Sequence, residues 1–476
     1  MMPLIQKAYH AGNFRKKGHR LVDELADYLE QTTRKKEGPV FKQFEPDTLF
    51  RKWDTALNNP QGNFKAWVQN VIDDSIHIHH PGYMGHQVSP SLPDAVLAEF
   101  LGAMLNNGVG VYEMGSPTVA MERAVIKKLA TQIGFGETAD GFLTSGGTLG
   151  NLTALLGMRQ VMAENDTWNE GDGEKQFGIM VSAEAHYSIS RAVKIMGWGE
   201  RGIIKIPTDE KLRLDAGTLE KYYSEAQKKG IDVLGIIGNA CSTATGSFDP
   251  LNEIANFCES HNLWFHIDAA HGGGAIFSMK YKYLLDGINR ADSVIVDFHK
   301  MLMCPALVTG LVFKNGRDSY KSFAQKASYL WEKEDPEWFN LGKRTFECTK
   351  DMMALKVYAI LREYGTDLFG ELIDYLFDLG RTFGQMIRER PHFELLIEPS
   401  CNILCFRFVP DTANAPNELN QYIREQLLED GTYFIVQTNY NGKLYLRTTL
   451  MNPFTRPNHL GKLLDEIEKI GSEYPA

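Results

Sequence analysis

The sequence predicts an α/β protein whose large domain contains a mostly parallel sheet. Between about residues 90 and 310, helical patterns alternate with short apolar runs such as "GIMVSA", "VLGIIGNA", "LWFHIDAA" and "SVIVDF". These runs are almost continuously apolar, which is typical of parallel strands that helices cover on both faces. After residue 350 the pattern changes to long helices followed by strands, which favours a second, smaller α+β domain.

The first part of the chain is predicted to be helical. Residues 14–34 and 63–76 have the apolar spacing of amphipathic helices, and a basic, turn-rich link, "RKKEGPVFKQFEPD", lies between them. Within the central region, "SPTVAMERAVIKKLATQIG" and "LNEIANFCESHN" have the same helical spacing. These helices would cover the faces of the predicted sheet.

The C-terminal part begins with a helix-rich stretch at residues 351–390. The predicted strands "FELLIE", "NILCFRFV" and "KLYLRTTL" and a final helix follow it. We therefore predict three parts: a helical N-terminal segment (1–88), a large α/β domain (89–361) and a small α+β domain (362–476).

Charge and composition limit the classes of partner. The formal net charge is −10 with acids and bases interspersed, which argues against binding nucleic acid or an anionic membrane through bulk charge. No stretch approaches 18 apolar residues, and the N-terminus has no apolar core of signal-peptide length. The six cysteines form no CxxC pair, which fits a reduced, cytoplasmic location.

Polar residues follow several of the predicted strands, where ligands bind in open parallel sheets. In "GFLTSGGTLGN", Gly146, Gly147 and Thr148 join a strand to a helix, and their backbone N–H groups could hold an anion such as phosphate. His186 comes just after another strand and could stack on a flat ligand. The loop "NACSTATGSFDP", which contains Thr243, is by itself an ordinary loop.

Asp268 and Lys300 end two further buried strands, one strand–helix–strand unit apart. A buried carboxylate costs several kcal/mol unless it is compensated, so Asp268 should have a cationic partner. A lysine at the end of an apolar strand is most often solvated, but it can also be paired or used covalently. Ala269 and Ala270 leave room for something flat beside them.

Together these residues match the needs of pyridoxal phosphate. The cofactor requires an amine for its Schiff base, an acid facing the pyridinium nitrogen, an anion site for its phosphate and a contact for its ring face. Lys300, Asp268, the Gly-rich turn and His186 supply one of these each. Each of the four motifs alone also has a purely structural explanation.

The sequence resembles the group II pyridoxal-phosphate-dependent amino acid decarboxylases. The motifs "TSGGTLGN", "AEAHYS", "HIDAAHGG" and "DFHK" occur in the order of that family and at similar spacings. The resemblance implies the fold type I architecture, with a mostly parallel seven-stranded sheet. It also implies that Lys300 forms the Schiff base, that Asp268 pairs with the pyridinium nitrogen, and that Ala270 and His186 contact opposite ring faces.

The resemblance also implies the phosphate contacts. Gly147 and Thr148 would hold the phosphate, with His299 and Asp297 close by, and Thr243 would contact the cofactor. Many members carry Asn where Asp297 stands here. Because an acid beside a phosphate dianion is unfavourable, we expect Asp297 either to turn away or to be bonded through a donor.

A proton donor is implied in the segment "ASYLWEKEDPEWFNLGKRT", which matches the mobile catalytic loop of the family. Tyr329 would return a proton to the substrate Cα after carbon dioxide leaves, and its alternative is a structural role in a surface loop. With Lys300, His186 and Asp268, it completes the predicted catalytic set.

The segment "HIHHPGYMGHQ" has a substrate interpretation and a metal interpretation. His77, His79, His80 and His86 could suggest a metal site, but no carboxylate or cysteine pattern accompanies them, so we expect no metal. In the family an equivalent segment lines the substrate pocket.

Four residues are therefore the predicted substrate contacts. His86, Gln87 and Ser89 lie in or next to that segment, and Arg447 matches an arginine expected to meet the substrate carboxylate. A structural salt bridge is the alternative for Arg447.

The predicted activity is α-decarboxylation of an L-amino acid, with an acidic substrate such as glutamate, aspartate or cysteine sulfinate favoured. An aromatic amino acid is the alternative substrate, transamination or carbon–carbon cleavage is an alternative reaction, and a non-catalytic cofactor-binding module is a third possibility. We also expect a homodimer, since residues 1–88 are too few for a core of their own and family members use this segment to clasp the other subunit.

Overall fold

The structure is a computed structural model that describes residues 2–35, 38–60, 62–323 and 337–474. Within these ranges the α-helices are α1 (Pro3–Ala8), α2 (Ala11–Glu30), α3 (Pro46–Asn58), α4 (Phe64–Asp74), α5 (Pro93–Leu105), α6 (Tyr112–Ile133), α7 (Gly147–Met162), α8 (Thr167–Glu170), α9 (Tyr187–Ile195), α10 (Leu219–Lys228), α11 (Leu251–His261), α12 (Ala354–Tyr364), α13 (Asp367–Arg388), α14 (Pro416–Asp430) and α15 (Pro457–Ser472).

The strands form two sheets. Their bounds are β1 (Asp140–Thr144), β2 (Gln176–Ser182), β3 (Ile203–Ile206), β4 (Ile231–Asn239), β5 (Trp264–Asp268), β6 (Ser293–Asp297), β7 (Thr309–Phe313), β8 (Phe393–Leu395), β9 (Ile403–Phe408), β10 (Val436–Tyr440) and β11 (Lys443–Thr449). The large sheet has seven strands in the order β1-β7-β6-β5-β4-β2-β3, and the small sheet has four in the order β10-β11-β9-β8.

The large sheet is mostly parallel, as predicted. The pairs β2–β3, β2–β4, β4–β5 and β5–β6 are parallel, whereas β7 pairs antiparallel with both β6 and β1. Every residue of β5 and β6 is buried, which agrees with strands covered on both faces. The predicted fold class is therefore confirmed.

The chain divides into two compact units. One unit contains Met1–His86, Gln385–Leu396 and Cys405–Ala476, and the other contains Gln87–Gly384 and Ile397–Leu404. The large sheet and its helices belong entirely to the second unit. The division into three parts at residues 88 and 361 stays a prediction.

Some local elements differ from the sequence interpretation. The link between the first two predicted helices contains a helix, α3, which starts at Pro46 in the first helical turn, where proline is well tolerated. The strands β3, β7 and β10 were not predicted. β3 has four residues and lies at the sheet edge, and β10 carries the polar run Gln437–Asn439, so neither has the apolar length of a buried strand.

No helix among the described residues is long and apolar enough to span a membrane.

Candidate active site

Parallel pairing brings the ends of the central strands together. Asn239 at the end of β4 lies opposite Asp268 at the end of β5, and Asp268 lies opposite Ile295 of β6. The residues that follow these strands therefore meet at one edge of the sheet. A cavity of about 450 Å³ opens there, and the predicted residues that line it are Gln87, Gly147, Thr148, His186, Thr243, Asp268, Ala270, Asp297, His299 and Lys300.

The Gly-rich turn presents the N-terminus of α7 to this cavity. Gly146 precedes the helix with φ 120° and ψ 157°, a conformation that is essentially restricted to glycine. A Cβ on Gly147 would lie 3.3 Å from Oδ1 of Asp297, so glycine leaves space between the helix and the strand end. Backbone N–H groups and the helix dipole at this position suit an anion.

Lys300 forms an ion pair with Asp297. Its Nζ lies 3.1 Å from Oδ2 of Asp297, whose side chain is 2% exposed. Oδ1 of the same carboxylate accepts a hydrogen bond from the hydroxyl of Thr309, and Nε2 of His299 lies 3.7 Å from Oδ2. Of the two arrangements expected for Asp297, the structure has the one in which donors hold the carboxylate.

Asp268 is buried but is held by neutral donors. Asn151 donates Nδ2–H to Oδ2 at 2.8 Å, and the backbone N–H of Ala270 donates to Oδ1 at 3.1 Å. Within the described residues, no Lys, Arg or His lies within ion-pair distance of this carboxylate, so the pairing of Asp268 with a pyridinium nitrogen stays the prediction for its cationic partner. Asp268 lines the cavity and can meet a cationic group there.

His186 is the N-cap residue of α9 and lines the same cavity. Its Nδ1 lies 2.8 Å from Oγ of Ser188 and accepts the backbone N–H of Ser188 at 3.3 Å. Burial lowers the pKa of His186 below its usual value, so the imidazole is neutral near pH 7.

Two of the predicted substrate residues lie in the other compact unit. His86 is exposed, but the protein partly removes its ring from water, and this desolvation together with the charges of Arg447 and Arg424 lowers its pKa. Arg447 is on β11 and its side chain is 7% exposed. Ser89 lies in the unit of the cavity but does not line it, and its hydroxyl donates to the carbonyl of His299 at 3.5 Å.

Two further predictions concern the catalytic loop and metal binding. Tyr329 lies outside the described residues, so its role stays a prediction. Among the described residues, no group of three or more His, Cys, Asp or Glu side chains could hold a metal ion.

The sequence interpretation missed several residues at this site. Asn151 and Ser188 bond to Asp268 and His186, and Arg191 lines the cavity. A signal existed for Asn151, because it follows Gly147 by four residues on α7 and so lies on the same helix face. Thr309 could not be predicted as a partner of Asp297, because the bond depends on the pairing of β6 with β7.

A comparison with known protein families identifies the family of the chain. Residues 51–409 match the model described as the pyridoxal-dependent decarboxylase conserved domain. The chain belongs to the pyridoxal-dependent decarboxylase family. This decarboxylase is 28% identical to the aromatic-L-amino-acid decarboxylase of Bacillus atrophaeus over 97% of this chain and 96% of that protein. It is 29% identical to the acidic amino acid decarboxylase GADL1 of Homo sapiens over 90% and 85% of the two chains.

A solved structure has the same fold. The glutamate decarboxylase domain of diaminobutyrate-pyruvate transaminase and L-2,4-diaminobutyrate decarboxylase from Vibrio parahaemolyticus aligns with a TM-score of 0.86 and 25% identity, covering 98% of this decarboxylase and 97% of that chain. The predicted family and the predicted cofactor, pyridoxal phosphate, are therefore confirmed.

The residues of the cavity fit this cofactor. The cavity combines an amine on Lys300, a carboxylate on Asp268 that neutral donors hold, and the N-terminus of α7 beside Gly147. A primary amine, a ring-nitrogen partner and an anion site are the groups that pyridoxal phosphate requires of its protein.

Proposed function

We propose that this decarboxylase removes the α-carboxylate of an L-amino acid with an acidic side chain, such as glutamate, aspartate or cysteine sulfinate. The observation that carries the proposal is Arg191. Arg191 lines the cavity and is exposed; its guanidinium lies 4.7 Å from the centre of the Tyr187 ring and has no carboxylate partner within the described parts of the chain. A cation without an anion on the wall of a substrate cavity favours an anionic ligand.

The relatives support an amino acid substrate but differ in its class. The human relative acts on acidic amino acids by its name, whereas the Bacillus relative acts on aromatic ones. The two relatives are almost equally similar to this chain, so identity alone does not separate the substrates. Decarboxylation of an aromatic L-amino acid is therefore the second candidate function.

The cofactor and the protein divide the chemistry between them. When bound, pyridoxal phosphate supplies an electron-withdrawing ring that takes up the electron pair released as the bond from Cα to the carboxylate breaks. In this proposal Lys300 holds the cofactor covalently, Gly147 and Thr148 hold its phosphate, and Thr243 contacts it.

The remaining side chains act on charge and orientation. Asp268 keeps a proton on the ring nitrogen, and its two neutral donors keep the carboxylate in place for that task. Ala270 and His186 contact the ring faces, and Asp297 and His299 surround Lys300. Tyr329 stays the predicted proton donor to Cα, and His86, Gln87, Ser89 and Arg447 stay the predicted substrate contacts.

A screen for carbon dioxide release tests the substrate class. The purified holoenzyme is incubated with each of the twenty amino acids and with cysteine sulfinate, cysteate and 2,4-diaminobutyrate. We expect the highest kcat/KM for an acidic substrate. An aromatic substrate with the highest value would contradict the proposal and favour the second candidate.

The variant Arg191→Met tests the observation that carries the proposal. We expect KM for the acidic substrate to rise about tenfold or more, with cofactor affinity unchanged, because a charge-assisted contact is lost. Lys194→Met is the matched control, since Lys194 is on the same helix but pairs with Glu200 at 2.7 Å. Loss of cofactor affinity in Arg191→Met with an unchanged KM would instead place the arginine at the phosphate and contradict the assignment.

Product analysis separates the remaining alternatives. Transamination or carbon–carbon cleavage would yield a keto acid or an aldehyde rather than an amine. A non-catalytic cofactor-binding module would release no carbon dioxide from any substrate of the screen.

A further inference from the structure

A continuous chain of buried hydrogen bonds lies behind Asp268 and His186. Trp264, His266 and Asp268 alternate along β5, so their side chains point to the same face of the sheet. Asn151, which is 1% exposed, reaches this face from α7. Ser188, also 1% exposed, reaches Asn151 from α9.

The contacts of His186 determine which groups of this hydrogen-bond network donate and which accept. The backbone N–H of Ser188 points at Nδ1 of His186 at 3.3 Å, and a backbone N–H can only donate. Nδ1 therefore carries no proton in the neutral ring. The hydroxyl of Ser188, 2.8 Å from the same nitrogen, must then donate to it as well.

Asn151 continues the chain toward Asp268. Because the hydroxyl of Ser188 donates its proton to His186, its oxygen accepts from Nδ2 of Asn151 at 2.9 Å. The same amide nitrogen donates its second proton to Oδ2 of Asp268 at 2.8 Å. With both N–H groups used, the amide oxygen faces Nε2 of His266 at 3.0 Å.

The far end of the hydrogen-bond network is compatible with this direction. The indole N–H of Trp264 can only donate, and it lies 3.0 Å from Oγ of Ser293. Ser293 can at the same time donate its own proton to Nδ1 of His266 at 2.8 Å, and with this arrangement the proton of His266 is on Nε2. Burial lowers the pKa of His266 to about 4, so the ring is neutral and Nε2–H donates to Asn151. This arrangement agrees with the orientation of the Asn151 amide that its hydrogen bond to Asp268 requires.

We propose that Asn151 is a positioning residue that, through Ser188, holds His186 in the tautomer with its proton on Nε2 while it also donates to Asp268. The tautomer determines which nitrogen of His186 is available in the cavity, because two donors already occupy Nδ1. Nε2–H is then the polar group that His186 offers to the substrate or the cofactor, and it is a donor rather than an acceptor. This inference rests on the family activity and not on the proposed acidic substrate.

The charges around His186 do not by themselves select the tautomer with its proton on Nε2. After burial, the nearby carboxylate of Asp268 raises the pKa of His186, Lys300 lowers it, Asp297 raises it and Arg191 lowers it. These contributions partly oppose one another. The two donors on Nδ1 add a specific barrier, because a proton on Nδ1 would point at the proton of each donor.

Nuclear magnetic resonance of the holoenzyme with ¹⁵N-labelled histidine tests the proposal. The signals of His186 are assigned by their loss in His186→Gln. In the wild type we expect an unprotonated Nδ1 and a protonated Nε2 at neutral pH. Two variants interrupt the chain: Asn151→Leu removes the amide, and Ser188→Ala removes the hydroxyl while leaving the bond from Asn151 to Asp268 available.

Both variants should change the tautomer or the titration of His186. We expect a mixture of the two tautomers in Asn151→Leu, because a Ser188 hydroxyl without its donor can accept a proton from Nδ1. The titration of His186 should move to higher pH by about half a unit to one unit in Asn151→Leu. The shift in Ser188→Ala should be smaller, because the backbone N–H remains.

Asn239→Leu is the matched control. Asn239 is 2% exposed and also donates to a buried carboxylate, that of Asp249 at 2.9 Å. It does not belong to the hydrogen-bond network that connects Asp268 to His186. In Asn239→Leu, the NMR signals of His186 should be those of the wild type. If His186 keeps its wild-type tautomer and titration in both Asn151→Leu and Ser188→Ala, the proposal is overturned. If Asn151→Leu does not fold, Ser188→Ala decides alone, and an unchanged His186 in that variant overturns it.

Discussion

At the scale of single residues, the site contains two buried carboxylates with different surroundings. Asp297 is bonded to the hydroxyl of Thr309 and forms an ion pair with Lys300. Asp268 has two neutral donors instead, so it can hold a proton on the ring nitrogen of the cofactor. In the proposed mechanism, these surroundings separate a carboxylate that positions the lysine from one that acts on the cofactor.

Asp268→Asn tests this separation. The amide cannot hold a positive ring nitrogen, so we expect kcat to fall by at least about a hundredfold while cofactor still binds through its phosphate. Carbon dioxide release gives kcat, and the visible absorbance of the cofactor gives its occupancy.

Asp292→Asn is the control for that variant. Asp292 is a half-buried carboxylate that accepts the backbone N–H of Phe265 at 2.8 Å just before β6 starts, at the end of the sheet away from the cavity. We expect its rate to remain that of the wild type. A rate for Asp268→Asn within tenfold of the wild type would refute the role of Asp268.

Sequence alone could predict which candidate catalytic residues share the cavity but not which residues form hydrogen bonds to them. Lys300, Asp268 and His186 have recognisable positions after buried strands, and the structure brings all three to one cavity. Asn151 and Ser188 are ordinary polar residues in helices, and their bonds depend on how α7 and α9 pack on β5. Such contacts are tertiary, so the sequence indicates that Asn151 shares a helix face with Gly147 but not which residues it contacts.

At the scale of elements, the turn before α7 determines how the helix N-terminus approaches the cavity. Gly146 has φ 120°, which an L residue with a Cβ rarely adopts.

We expect Gly146→Ala to lower the free energy of unfolding by about 1–3 kcal/mol and to weaken cofactor binding. Gly136→Ala is the control, since a Cβ there meets no atom within 4 Å and its φ is not positive. Equilibrium denaturation and cofactor titration measure both effects, and equal stability of the two variants would argue against strain at Gly146.

The strand β5 carries a histidine that should make stability depend on pH. Folding lowers the pKa of His266 from 6.5 to about 4 through burial. Between these values the unfolded chain binds a proton that the folded protein does not, so the stabilisation is present above pH 6.5 and is lost as the pH falls toward 4.

His266→Gln should remove this dependence, since glutamine does not titrate and can still donate to Asn151. We expect the stability difference between the wild type and this variant to change on the order of 3 kcal/mol between pH 7 and pH 4. Denaturation of the apoprotein at several pH values measures it. A difference that stays constant with pH would mean that His266 titrates alike in both states.

Elements with a strong pattern could be predicted, whereas those without one could not. The central strands are continuous apolar runs, and β2, β4, β5 and β6 all occur where predicted. The sequence analysis does not predict α3, whose first two residues, Pro46 and Asp47, end the segment rich in turn residues and charges. The short edge strand β3 exists because β2 lies beside it, which is tertiary information.

At the scale of the whole molecule, chain order and spatial grouping differ. Residues 1–86 belong to the same compact unit as most of the C-terminal part, including β10, β11 and α15. Sequence patterns describe neighbours along the chain, so they could not predict this grouping. The amphipathic character of the N-terminal helices was predicted, and α2, α3 and α4 each leave large apolar side chains exposed, among them Phe14, Phe50 and Trp67.

We expect the protein to be a homodimer in which a second copy covers these apolar side chains. Sedimentation at micromolar concentration should give twice the 53.7 kDa mass of the chain. Trp67→Ser should weaken the dimer because 53% of that side chain is exposed, whereas Lys65→Ser on the same helix should not. A stable and active monomer would contradict this prediction.

The covalent use of Lys300 is the central claim, and borohydride reduction of the holoenzyme tests it most directly. Reduction fixes the cofactor on the amine to which it is bound, and mass spectrometry of the peptides then identifies that residue. We predict that the visible absorbance disappears on reduction, that the label is on Lys300, and that Lys300→Ala is folded but neither labelled nor active. Label on a different lysine, or full turnover in Lys300→Ala, would contradict the account.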